Sequence, residues 1–213
     1  MMRKIASQAL HNLMGVDKTA NKQMKTKFYE VLCVLSSVIF LTGCFSLSPN
    51  AVSTIVGGEY DVKKNVTEYF VYPYGSVSLP GKWEKTSYNR TSRQQFFVNQ
   101  DSISVAVAFG RYDNFEFNGD GSIKGFDFLK AYYDWETKYF KGTFGFQSSV
   151  IEENKDDNYM LFRVLGTYDG SKYDTYYLLR ESGGNVSHIT VNATNKWTES
   201  EKIEFLKMSI KQK

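Results

Sequence analysis

An α+β fold, an antiparallel sheet of about six to seven strands flanked by helices as an αβα sandwich, is what this 213-residue sequence predicts. Three observations carry that expectation. Runs of two-residue apolar alternation recur from Gly75 onward. Pairs such as Asp157-Asn158, Asp169-Gly170 and Gly183-Gly184 separate the later ones as hairpin turns do. Two longer stretches carry a helical stripe instead.

The elements follow in order. Phe45 to about Thr67 is Ser-, Asn- and Gly-containing with no clear period, and residues 44–68 read as a flexible tether. The folded part, one domain over 69–213, is expected to open at Tyr69–Tyr74. Gly75–Pro80 is a short alternating strand stopped by Pro80-Gly81 and followed by Trp83. Gln95–Asn99 and Ile103–Arg111 come next, the second with Ile103, Val105, Val107 and Phe109 on one face. Phe126–Phe140 is helical, with a stripe of Phe126, Leu129, Tyr133 and Phe140 ended by Lys141-Gly142. Gln147–Glu152, Tyr159–Tyr168, Tyr173–Arg180 and Val186–Ala193 are strands. Tyr159–Tyr168 is apolar on both faces, as in a central strand covered on both sides. A last helix, Glu199–Ile210, has Thr198 as N-cap and Ile203, Leu206 and Ile210 as its buried stripe.

This order, with the opening Tyr74-Gly-Ser-Val-Ser-Leu-Pro-Gly-Lys-Trp83 and its Pro-x-x-Trp turn, resembles the PsbP/Mog1-like family over about Tyr69 to Lys211. The resemblance implies a helix-sandwiched antiparallel sheet. Many bacterial members of that family are envelope lipoproteins without known catalysis.

The N-terminal region has its own logic. Met24-Lys25-Thr26-Lys27 is a basic start, and Phe28–Leu41 is mostly apolar, about 14 residues against the roughly 20 that a spanning helix needs. Glu30 is discordant there. The run closes on Leu41-Thr42-Gly43-Cys44, which is similar to the lipobox of bacterial lipoproteins. That resemblance implies a type II signal peptide over 24–43, cleavage between Gly43 and Cys44, and a diacylglyceryl thioether on Cys44. Two or three acyl chains anchor stably where one would be marginal. Phe45, not Asp, follows the cysteine, which implies sorting to the outer membrane, facing the periplasm, in a host with two membranes. Residues 1–23 read as an upstream extension from a start site set too early.

Charge removes one class of partner. Of 26 basic and 23 acidic side chains, the first 43 residues hold six and two, leaving 20 against 21 in the mature chain. A near-neutral domain has no footprint for nucleic acid. Cys33 and Cys44 are the two cysteines; processing removes the first and lipidates the second, so no disulfide is expected.

Catalytic and metal-binding candidates are few. His188 is the sole histidine of the mature chain. In Val186-Ser-His-Ile-Thr-Val191 it alternates with Ile189 and Val191, so a surface or sheet-face role is expected, and Ser187 beside it points the other way. Glu116–Asp127 resembles an EF-hand loop, with Asn118, Asp120, Gly121 and Ser122 in its middle. Glu at its first position and the short Asp127 at its last depart from that pattern, and a polar turn is the favoured reading. The rings of Tyr132, Tyr133, Trp135, Tyr139 and Phe140 read as helix-to-sheet core rather than a ligand cleft. Neither a phosphate-cradling glycine loop nor a CxxC or HExxH motif occurs. The expectation is therefore a non-catalytic envelope lipoprotein, not an enzyme, with no cofactor or metal, held at the membrane by Cys44 and meeting an envelope protein. A small-ligand or calcium-binding lipoprotein is the alternative, and a hydrolase ranks third.

Overall fold

The computed structural model describes residues 54–211; the basic start, the apolar run, the lipobox and Cys44 lie outside them. The described chain makes two antiparallel sheets and two long helices. β1 (Ile55–Gly57), β2 (Tyr60–Asp61), β3 (Val66–Tyr72) and β4 (Gly75–Pro80) form the smaller sheet, with β3 paired to the other three. The segment read as a tether thus supplies β1, β2 and the start of β3. Their backbone partners come from β3 rather than from any alternation of their own, which is why the sequence pattern is silent there.

The larger sheet contains β5 (Glu84–Asn89), β6 (Gln94–Val98), β7 (Ser104–Arg111), β8 (Gln147–Asn154), β9 (Tyr159–Tyr168), β10 (Ser171–Ser182) and β11 (Asn185–Val191). Its seven strands run in the order β5-β6-β7-β11-β10-β9-β8. Each hairpin pairs neighbours, and the one long-range junction sets β11 against β7, with His188 opposite Ala108 and Val186 opposite Gly110. β9 is covered on both faces, as expected, but it lies second from the edge; the middle position belongs to β11. The β9–β10 turn needs left-handed backbone at two consecutive residues, and Asp169 (φ 49°) and Gly170 (φ 74°) provide it. β5 lacks the alternating apolar pattern of a half-buried strand: it is an edge strand whose first five residues are exposed.

Helix α1 (Gly125–Phe144) covers one face of this sheet, over β8, β9 and β10. It passes through Gly142 and ends at Gly145, whose left-handed φ of 71° lets its N–H reach the Lys141 carbonyl. Its buried stripe is Phe128, Leu129, Tyr132, Glu136 and Phe140. The expected stripe of Phe126, Leu129, Tyr133 and Phe140 is thus partly displaced, with Phe126 and Tyr133 half-buried at its margin. Helix α2 (Glu199–Lys211) and the small sheet cover the other face. Thr198 caps α2 as the sequence suggested: its Oγ1 accepts from the Glu201 N–H while Glu201 Oε2 accepts from the Thr198 N–H.

Two separate apolar cores result. One joins Tyr69, Leu79, Trp83, Phe97, Leu178, Ile189 and Leu206; the other joins Phe128, Leu129, Phe140, Met160, Phe162, Tyr177 and Leu179. Odd residues of β11 serve the first core and even residues face the second, because side chains alternate across a strand.

Candidate ligand-binding pocket

Helix α1 covers only the β8–β10 half of its face. Over β6, β7 and β11 the sheet carries Gln94, Ala108, Gly110, Val186 and His188, and the short side chains of Ala108 and Gly110 leave room there. Three elements wall that space: α1 with Tyr132, Trp135 and Glu136, the loop after β7 with Asn114 and Phe115, and the β5–β6 turn with Thr91, Ser92 and Arg93. The pocket's volume is about 330 Å³, at the small end of the range of small-molecule sites.

His188 sits on the floor. It is half-buried on the sheet face, one of the two placements the sequence allowed, and not on the open surface. Alternation correctly turned it away from Ile189 and Val191, but the far face is roofed by α1 instead of water. Its ring stacks on Tyr177 at 5.3 Å and 18°, and meets Tyr132 edge-on at 5.9 Å. Tyr177 in turn stacks on Phe162 at 4.8 Å and 8°. Nε2 is shielded from solvent and has no hydrogen-bond partner among the described residues. Burial pulls the imidazole down to about 4, so at neutral pH it is uncharged.

Glu136 is the second polar group, 9% exposed and set in the apolar stripe one turn from Tyr132 and one turn from Phe140. Burial alone pushes its carboxyl up to about 7. Its charge, when present, opposes ionisation of Tyr132, Tyr173 and Tyr177, whose phenols burial already holds high; Tyr173 is pushed up to about 12. Tyr173 and Tyr177 share a hydrogen bond between their hydroxyls. Sequence reasoning passed over Glu136. The available signal was a carboxylate at the i+4 and i−4 positions of two core aromatics on a helix.

The aromatic cluster divides. Tyr132 and Phe140 are core, but Tyr132 and Trp135 also meet Phe115 at the pocket wall. Phe115 lies 5.2 Å from Tyr132 and 6.3 Å from Trp135, all three rings edge-to-face. Thr91 and Ser92 bring hydroxyls to the pocket, and Ser92 donates its own to Gln94 Oε1 at 3.0 Å. Ser187 lies on the opposite face of β11 from His188, as alternation required.

In the Glu116–Asp127 loop, Asn118 and Asp120 bond within or beside the loop and Glu116 reaches helix α1. Asn118 is buried, donates Nδ2 to the Tyr112 and Ile123 carbonyls and accepts from the Ile123 N–H. Asp120 accepts from the Ser122 N–H, and Glu116 accepts from Trp135 Nε1. The loop therefore braces the pocket wall, with Glu116 holding Trp135 in place.

The class these features define is an α+β sandwich, a seven-stranded antiparallel sheet between helices, with one face opening into a small aromatic pocket. No family model matches the chain, and no curated protein does. Among solved structures it is similar to the solution structure of cyanobacterial PsbP (CyanoP) from Synechocystis sp. PCC 6803, at 9% identity and a TM-score of 0.41, over 75% of this chain and 92% of that one. A likeness of that order concerns chain course and says nothing of ligand or partner.

Proposed function

We infer that the chain is a lipid-anchored envelope protein whose domain holds a small organic ligand in this pocket without catalysing its conversion. The observation that carries the reading is a pocket with His188 Nε2 on its floor, buried without a hydrogen-bond partner among the described residues, and the buried Glu136 carboxyl on its wall. Buried polar groups are ordinarily hydrogen-bonded, so a cavity floored by an unsatisfied one is built for a guest. Against catalysis stands the imidazole itself: His188 Nε2 has no hydroxyl bonded to it among the described residues.

Gly110 gives a clean test. A Cβ added there meets no atom within 4 Å, and its strand position faces the pocket. Gly110→Phe should fill the cavity with little loss of stability. Ligand-observed NMR with a set of small aromatic fragments should show binding to the full chain in neutral detergent and none to Gly110→Phe. Equal binding to both proteins would sink the reading.

The anchor rests on Leu41–Cys44. Intact mass of the membrane-extracted protein is expected to match residues 44–213 plus acyl chains, and Cys44→Ala should accumulate as a longer, unlipidated species. In a host with two membranes the domain then faces the periplasm from the outer one. A second reading, capture of an envelope protein, is favoured by Ile55, Phe70 and Tyr72. These side chains form an apolar strip on one face of the small sheet, with Ile55 and Tyr72 each about 60% exposed. Crosslinking from position 55 in intact envelopes tests it; a crosslink pattern left unchanged by Tyr72→Lys would count against it.

A further inference from the structure

The pocket has an uneven distribution of charge. At its depth the imidazole of His188 is neutral, and the phenols of Tyr132, Tyr173 and Tyr177 hold their protons. Glu136 is the one deep group able to carry a formal charge, and that charge is negative. Arg93 is the cation nearest the mouth, but it is exposed on the β5–β6 turn, where solvent and salt screen it. Beside Glu136 stand three rings, Phe115, Tyr132 and Trp135, arranged edge-to-face around one corner of the cavity. Aromatic faces attract cations through the ring quadrupole, most strongly when water is excluded.

We propose that the pocket takes a small organic cation with a flat apolar body, its charge set against Glu136 and its body against Phe115, Tyr132 and Trp135. The assignment rests on the pocket-binding reading above and narrows it to one ligand class. An anion would leave Glu136 facing like charge. A neutral guest would satisfy His188 but leave the carboxyl without a counter-charge. A cation sets a counter-charge beside Glu136, favours its ionised form and releases to solvent whatever proton the carboxyl held. His188 Nε2, on the floor, is left to fix the guest's orientation by a hydrogen bond.

Binding is therefore pH-dependent in a stated direction. The groups facing Glu136 are Tyr132 on its own helix, Tyr173 and Tyr177 on β10, His188 on β11 and Arg93 across the mouth. Of these the phenols stay protonated and His188 stays neutral between pH 6 and 8, so the change in that window belongs to Glu136.

Three probes separate the outcomes by calorimetric titration of the full chain in neutral detergent: benzyltrimethylammonium, phenethyl alcohol and 3-phenylpropionate. The cation is expected to bind at least about tenfold more tightly than either of the others. Its affinity should rise from pH 6 to pH 8. Glu136→Gln should abolish that pH dependence and weaken the cation about tenfold, while leaving phenethyl alcohol unchanged. If the alcohol or the acid binds as well as the cation, or if Glu136→Gln binds the cation as before, the ligand class is wrong. In that case sensitivity to Gly110→Phe still preserves the pocket. If the cation does not bind at all, the class is also overturned, and if its binding survives Gly110→Phe, both readings fall together.

Discussion

Phe162→Ala should lower the unfolding free energy by about 3–5 kcal/mol, a large share of what a domain of this size possesses. Phe162 is wholly buried on β9, opposite Tyr177 on β10 and Val150 on β8. Its ring stacks on Tyr177 and takes the edge of Tyr133 at 5.1 Å. Burying such a side chain stabilises by roughly 1.5–3 kcal/mol, and truncation adds the cost of the void, because neighbours held by two strands and a helix relax only partly. The effect reaches the pocket as well. Tyr177 is the shared layer between Phe162 and His188, so losing Phe162 removes the support beneath the imidazole stack. Val62→Ala, at a side chain 76% exposed, should change stability by less than about 0.5 kcal/mol. Denaturant melts of the two variants make the comparison, and near-equal losses would mean that the second core is not organised around this ring.

The second large effect is a pair of opposed pH dependences. Glu136 has an ordinary value of 4.5 and about 7 when folded, so the folded state binds its proton more tightly. Its favourable contribution is complete below pH 4.5 and is lost as pH rises through 7, an integrated change of about 3 kcal/mol. His188 has an ordinary value of 6.5 and about 4 when folded. Here the unfolded state binds the proton more tightly, so stability is complete above pH 6.5 and is lost toward pH 4, again by about 3 kcal/mol. Between pH 4.5 and 6.5 the two slopes nearly cancel in the native protein.

Each single variant unmasks the other group. Glu136→Gln should gain stability relative to the native protein as pH rises from 4.5 to 7, by up to about 3 kcal/mol. His188→Gln should gain relative to it as pH falls from 6.5 to 4. At pH 7, by contrast, removing the His188 ring from its stack with Tyr177 should cost stability rather than leave it untouched as an exposed histidine would. Variant-minus-native differences, measured by denaturant melts at half-unit pH steps, remove the background titration of the other carboxylates. Parallel pH profiles for all three proteins would show both groups to be solvated and the pocket reading to be misplaced.

Much of this was legible in residue order. Thr198 announces the start of α2, and a two-residue Asp-Gly turn sets the β9–β10 register, because local hydrogen bonds and backbone conformation depend on a few neighbours. β9 was legible as a strand apolar on both faces, since five of the six residues Tyr159–Val164 are large and apolar, though its place second from the edge was not. β5 was not, because an exposed edge strand with a polar sequence carries no alternation, and its partner β6 alone defines it. β1 and β2 were missed for the same reason: each pairs with β3, and no apolar period of their own marks them.

His188 shows where local pattern stops. Alternation on β11 determined that it opposes Ile189, and Ser187 with it, but the periodicity of one strand contains nothing about what covers each face. That depends on β11 pairing with β7, a contact between residues some 80 apart, and on α1 reaching across only part of the sheet. Glu136 is the complementary case. A one-residue shift of the α1 stripe separates a solvated carboxylate from a buried one, and the rotation of that helix is fixed by packing against Phe162 and Tyr177, not by its own sequence. By itself the sequence determined the fold class, the hairpin turns and the capping of α2. The pocket, with its neutral imidazole and raised carboxyl, was decided only by tertiary structure, because desolvation is a property of what surrounds a group in space.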